Sequence, residues 1–153
     1  MDKENTLYID LKDGRVVIEM RPDLAPKHVA QIKKLAREGK YDGIVFHRVI
    51  DGFMAQTGDP TGTGAGGSKL PDIPAEFSSQ HFGRGTVGMA RSSSPNSANS
   101  QFFIVFGDAG FLDGKYTVVG QVKSGMENVD KIKRGEPVRD PDKIVKATIA
   151  ADA

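Results

Sequence analysis

Cysteine is absent from this chain. That excludes disulfides and thiol catalysis and leaves the compartment open. Long apolar runs are absent too. No stretch approaches the roughly 20 residues a helix needs to cross a bilayer. The N-terminus, MDKENTLYID, is polar and acidic before it turns apolar, without the charged-then-apolar plan of a secretory leader. Nor is charge of one sign in excess. There are 21 Lys and Arg against 20 Asp and Glu, a formal net charge of +1. A nucleic-acid-binding surface wants a basic patch or stripe, and the totals argue against one. The expectation is a cytoplasmic protein with neither a membrane nor a nucleic acid among its partners.

Histidine is scarce as well. His28, His47 and His81 are the three in the chain, and none has metal-ligand spacing to another histidine or a carboxylate. His28 sits among the lysines of a helical pattern, which predicts a surface position. His47 alternates with Arg48, so the two point to opposite sides of a strand. A hydrogen-bonded structural histidine is the reading for His47.

What is present suits one domain. The chain has 153 residues, 38% hydrophobic and 27% charged, enough for a normal core. No repeat or linker interrupts it, so residues 1–153 read as a single unit. Leu7 to Leu11 and Arg15 to Met20 are strand candidates joined by Asp13-Gly14, a hairpin signal. APKHVAQIKKLAREG then reads as an amphipathic helix. Pro26 suits the first turn, Gly39 the position past the end, and Val29, Ile32 and Leu35 share a face. Ile44–Ile50, Thr86–Ala90, Gln101–Phe106, Tyr116–Val122 and Lys143–Ala150 read as further strands, and Gly125–Arg134 as a second short helix. Many short strands with two helices point to an antiparallel barrel or sandwich capped by helices.

Two familiar patterns fail on context. GTGAGG, residues 62–67, matches GxGxxG, but SKLPDIP follows. Pro71 and Pro74 exclude the helix that a dinucleotide site requires. The segment from Gly58 to Pro74 reads instead as a long loop that can border a groove. Ser92 to Ser94 lie in RSSSPNSANS, where Ser, Asn and Pro are ordinary turn residues and no nucleophile elbow exists.

VFHRVIDGFMAQTGDP poses a sharper question. Arg48 stands inside an apolar, strand-like run, and burying a guanidinium is costly unless something pairs it. It is either a structural ion-pair member or a group aimed into a pocket. QFFIVF places Gln101, Phe103 and Val105 on one strand face and Phe102, Ile104 and Phe106 on the other. Phe111 and Leu112 fall in a turn before the next strand. A few polar groups, here Arg48, Gln56 and Gln101, converging on apolar surface are the usual make-up of a binding pocket.

FHRVIDGFMAQTGDP, then GMA, SQFFI and FLDGKYTVVG, resemble the cyclophilins, a family of peptidyl-prolyl cis-trans isomerases. The resemblance runs from about Thr6 to Ile149 with the motifs in family order. It implies a mainly β fold: a closed eight-stranded antiparallel β-barrel capped by two α-helices. It implies isomerase activity without cofactor or metal, with Arg48 catalytic and Gln56 beside it. The proline pocket falls on Phe53, Met54, Phe103 and Leu112. Ala90 and Gln101 match groove positions, Arg91 acts through its backbone, and Gly64 and Ala65 border a neighbouring pocket. Phe111 and Tyr116 complete the groove. Well-known eukaryotic members carry tryptophan and histidine there, and these replacements look like those of bacterial members. The RSSSPNSANS loop is also about one residue longer. Losing the indole N–H implies weak rather than tight cyclosporin binding. The implied partners are proline-containing peptides and unfolded or folding proteins, met by a monomer. A non-catalytic proline-peptide binding module is the alternative.

Overall fold

Alternating apolar and polar residues at the start of the chain form a hairpin in the computed structural model, which describes residues 2–153. β1 (Thr6–Leu11) pairs antiparallel with β2 (Gly14–Met20). Leu11 is opposite Gly14, so Lys12 and Asp13 make the turn, one position earlier than Asp13-Gly14. α1 (Pro26–Arg37) follows, with Pro26 in its first turn and Lys34 and Arg37 in its last, where the helix dipole favours cations. Val29, Ile32 and Leu35 are buried beneath it.

The remaining elements are β3 (Arg48–Ile50), β4 (Met54–Thr57), β5 (Thr86–Met89), β6 (Phe102–Val105), β7 (Val118–Ser124), the one-turn α2 (Met126–Val129) and β8 (Lys146–Ile149). β4 has no counterpart in the sequence reading, which assigned FMAQT to no element. The strand expected over Ile44–Ile50 keeps only its last three residues in the ladder. The helix expected over Gly125–Arg134 is a single turn.

The eight strands form one antiparallel sheet in the order β3-β4-β6-β5-β7-β2-β1-β8. The expected closed barrel is corrected here: β3 and β8, at the two ends of this order, do not pair with each other. The sheet is open and curled. Isolated bridges span the gap, Val45 with Lys143 and Val49 with Gly135. The physical reason lies in the segments just before the two edge strands. They meet there through single bonds, such as Phe46 N–H to the Asp142 carbonyl at 2.8 Å, rather than through a continuous ladder.

Alternation along β6 serves two apolar clusters. Phe102 and Ile104 join the main core under α1. Phe103 and Val105 join a second cluster with Met54, Phe82, Leu112 and Val118. The candidate site sits over this second cluster.

Candidate functional site

Register brings the site together. Arg48 on β3 is opposite Gln56 on β4, Gln56 is opposite Phe103 on β6, and Phe103 is opposite Gly88 on β5. Directly paired residues share a sheet face. One row across four strands therefore carries a guanidinium, an amide, an aromatic ring and no side chain at all. The bare position has a purpose. A Cβ at Gly88 would come within 2.6 Å of Phe82 and 2.7 Å of Phe103, whose rings lie stacked with centroids 5.9 Å apart. Two residues along, Ile50, Met54 and Val105 form a parallel apolar row.

A cavity of about 420 Å³ opens over these rows. Met54 and Phe103 make its floor, and both are buried. One wall is a short 3₁₀ turn, Gly110–Leu112, that presents Phe111 and Leu112. Leu112 is buried, whereas Phe111 is 63% exposed and leans on Phe53, with ring centroids 5.3 Å apart. Opposite, Tyr116 meets Phe103 edge-on, and the Arg91 guanidinium lies 4.3 Å over the Tyr116 ring. Arg91 also donates to the Lys115 carbonyl at 2.8 Å. Ala90 completes the lining, its N–H donating to the Gln101 carbonyl at 3.0 Å. The structure thus gathers Arg48, Phe53, Met54, Gln56, Ala90, Arg91, Phe103, Phe111, Leu112 and Tyr116 around one cavity.

Gln101 is set apart in a second, polar cavity of about 220 Å³. That cavity shares Gln56, Ala90 and Arg91 with the first. A chain of hydrogen bonds links the two. Arg48 Nη1 donates to Gln56 Oε1 at 3.4 Å, and Gln56 Nε2 donates to Gln101 Oε1 at 2.8 Å. Gln101 Nε2 donates onward to the Gly64 and Gly66 carbonyls at 3.0 and 2.9 Å. The glycine loop does border a groove, with Gly64 and Ala65 on its rim. Asp59 organises that loop. Burial alone would raise its carboxyl, but the N–H groups of Thr61, Gly66 and Gly64 hold it at about 2.

The question posed by Arg48 has a double answer. Its side chain is 44% exposed, not buried, and lines the cavity. It is also an ion-pair member: Nε donates to Glu136 Oε2 at 2.5 Å. Sequence reasoning missed Glu136. It sits in a loop that carries no periodicity, and its partner lies 88 residues away.

The histidines divide differently from expectation. His28 is fully buried rather than on the surface, because Glu76 reaches the helix start and binds its Nδ1 at 2.6 Å. Burial pushes its imidazole below the ordinary range, against that hydrogen bond. His47 is buried, but among the described residues its Nδ1 has no hydrogen-bond partner, contrary to the expected hydrogen-bonded role. His81 is exposed and bridges Asp113 (Nδ1, 2.6 Å) and Asp108 (Nε2, 3.0 Å), the two ends of the turn that carries Phe111 and Leu112. The Asp113 hydrogen bond raises its imidazole above the ordinary range. Ser92 bonds to Ser97, not to a histidine. Among the described residues no three His, Cys, Asp or Glu side chains are placed to hold a metal.

With this geometry in hand, comparison with known proteins is direct. A family model described as cyclophilin type peptidyl-prolyl cis-trans isomerase/CLD matches residues 6–150. A probable peptidyl-prolyl cis-trans isomerase from Brucella suis is 63% identical over 167 aligned positions, covering 99% of this chain and 85% of that protein. A peptidyl-prolyl cis-trans isomerase-like 1 protein from Aspergillus oryzae is 41% identical, covering 80% of this chain and 78% of its own. Among solved structures, a cyclophilin from Hirschia baltica superposes with a TM-score of 0.92 at 30% identity, covering 100% of this chain and 76% of that one. A Cryptosporidium parvum cyclophilin type isomerase, crystallised in the presence of the dipeptide Ala-Pro, gives a TM-score of 0.86 at 29% identity, covering 94% and 98%.

Proposed function

This chain belongs to the cyclophilin-type peptidyl-prolyl cis-trans isomerase family, and on that premise we propose that Arg48 drives rotation of X–Pro bonds bound over the Phe103 cavity. The substrates are proline-containing segments of folding or unfolded chains, whose uncatalysed isomerisation takes on the order of 10–100 s. Nothing covalent breaks. Resonance imposes a barrier of roughly 18–20 kcal/mol. Cis lies only about 0.5–1 kcal/mol above trans, so both forms need passage. Catalysis then requires only that the twisted amide be held better than either planar form.

Twisting localises a lone pair on the proline nitrogen, and a donor aimed there acts in the transition state alone. Arg48 is the donor. A guanidinium has five N–H groups. One engages Glu136 and one Gln56, leaving others to face the cavity. Phe53, Met54, Phe103 and Leu112 anchor the pyrrolidine ring, and Ala90 and Arg91 fix the peptide on one side while the other turns. Gln56 and Gln101 steady the guanidinium from the polar side. With Phe111 offering no N–H, cyclosporin binds weakly.

The single observation that carries this reading is the register row Arg48–Gln56–Phe103: a cation, its amide support and an aromatic floor on one face. The test is the cis–trans exchange rate of an Ala-Pro peptide by NMR. The protein accelerates exchange, and Arg48→Ala lowers kcat/KM about a hundredfold while the peptide still binds, in line with loss of one transition-state donor. Binding without acceleration in either form overturns the enzyme and leaves a proline-peptide binding module.

A further inference from the structure

We propose that Glu136 is a positioning residue for Arg48, gripping the guanidinium at Nε while Gln56 holds Nη1, and so deciding which donors face the cavity. The inference rests on the reading of Arg48 above and assigns the residue that makes that arginine effective.

The backbone, not a chance side-chain contact, puts Glu136 there. Val49 and Gly135 form an antiparallel bridge with both N–H···O bonds at 2.8 Å. In an antiparallel pair the residue before one partner faces the residue after the other. Arg48 and Glu136 are therefore direct neighbours across the bridge. Gly135 has φ +154°, and a Cβ on it would come within 2.8 Å of Val138 Cα and 2.9 Å of the Pro137 carbonyl. A side chain there would strain or move the turn. Arg134 secures the other flank. Its Nη1 donates to the Asp130 and Ile132 carbonyls, each at 2.6 Å, and its Nε donates to Asp51 at 3.1 Å.

Two magnitudes then decide which neighbour matters. The Glu136 contact is 2.5 Å and charge-assisted; the Gln56 contact is 3.4 Å. Both have the charged guanidinium as donor, but Glu136 alone adds a charged acceptor, and 3.4 Å lies beyond the usual range of roughly 2.7–3.2 Å for an N–H···O bond. Without Glu136, a long and 44% exposed side chain would be held by the weaker contact alone. Exposed ion pairs add little to stability. Loss of Glu136 therefore costs orientation of the catalytic group far more than it costs the fold. A displacement of about 1 Å at a reacting group can cost up to about a hundredfold.

The experiment compares wild type, Glu136→Ala, Glu136→Asp, Arg48→Ala and the Glu136→Ala/Arg48→Ala double variant on an Ala-Pro peptide. Glu136→Ala lowers kcat about tenfold, changes KM by less than about twofold and leaves the melting temperature unmoved, while Glu136→Asp recovers part of the rate. The Arg48 Nε–H signal, distinct in the wild-type NMR spectrum, shifts to the position of a solvated arginine in Glu136→Ala. In the Arg48→Ala background the second substitution changes nothing further. If Glu136→Ala keeps full kcat while Arg48→Ala collapses, the proposal is overturned and the isomerase reading stands. An additive loss in the double variant also overturns it, because Glu136 would then act other than through Arg48. No acceleration by the wild-type protein removes the isomerase reading itself.

Discussion

Arg48 illustrates how one side chain can belong to an ion pair and to a cavity wall at once. It sits in a strand, pairs with a carboxylate and still lines a cavity. Its placement was legible in the sequence, because FHRVIDGF puts a cation among apolar residues and no core tolerates that without a use. Its partner was not legible, since proximity of residues 48 and 136 is created by the Val49–Gly135 bridge and leaves no local pattern. Phe111 carries a prediction of its own. It is exposed at the rim and supplies contact without a donor. Phe111→Trp should tighten cyclosporin binding about fivefold, as one added hydrogen bond worth ~1 kcal/mol would. Titration calorimetry measures this, and an unchanged affinity would mean that the missing indole is not what weakens the complex.

At the scale of elements, α1 shows where pattern reading succeeds and stops. Pro26, the Val29–Ile32–Leu35 stripe and Gly39 mark the helix, and it forms over Pro26–Arg37. Ala25 at its N-cap has no side chain able to accept a hydrogen bond. Glu76, 48 residues from His28, does so instead, accepting the N–H groups of Lys27 and His28 at 3.1 and 3.0 Å and the His28 ring at 2.6 Å. Glu76→Ala should lower unfolding free energy by about 1–2 kcal/mol, the usual cost of a lost cap. Urea denaturation would report it; a shift under a few tenths of a kcal/mol would show the cap idle. The same long-range logic holds the pocket wall. His81 ties Asp108 to Asp113 across the turn bearing Phe111 and Leu112, a staple that no spacing rule anticipates.

Across the whole molecule, buried titratable groups tie stability to pH. Burial depresses the His28 imidazole below its ordinary 6.5. The loop's N–H groups, working against burial, bring Asp59 from 3.8 to about 2. Each group binds protons less readily folded than unfolded, so the unfolded chain takes them up first. The His28 contribution is therefore full above about pH 7 and declines below 6.5, and the Asp59 contribution declines from about 4 towards 2, while the raised His81 works the other way and loses its contribution as pH rises. The Asp59 part is worth ~2 kcal/mol. Urea midpoints from pH 7 to 2.5 should show both declines, and Asp59→Asn should shrink the lower one, to which Glu4, Glu76, Asp113 and Asp130 also contribute. A midpoint flat across that range would contradict both assignments. Composition and periodicity by themselves determined the strand-rich class, the main helix and the two faces of β6, which follow from local alternation that a linear sequence displays. The set of residues around the cavity came instead from the resemblance of the motifs to the cyclophilins. Only the tertiary structure decided that β4 exists, that the sheet stays open between β3 and β8, that His28 is buried, and that Glu136 meets Arg48. Each of these depends on backbone pairing or packing between segments far apart in the chain, and such contacts are set by the energy of the whole fold rather than by any short stretch of it.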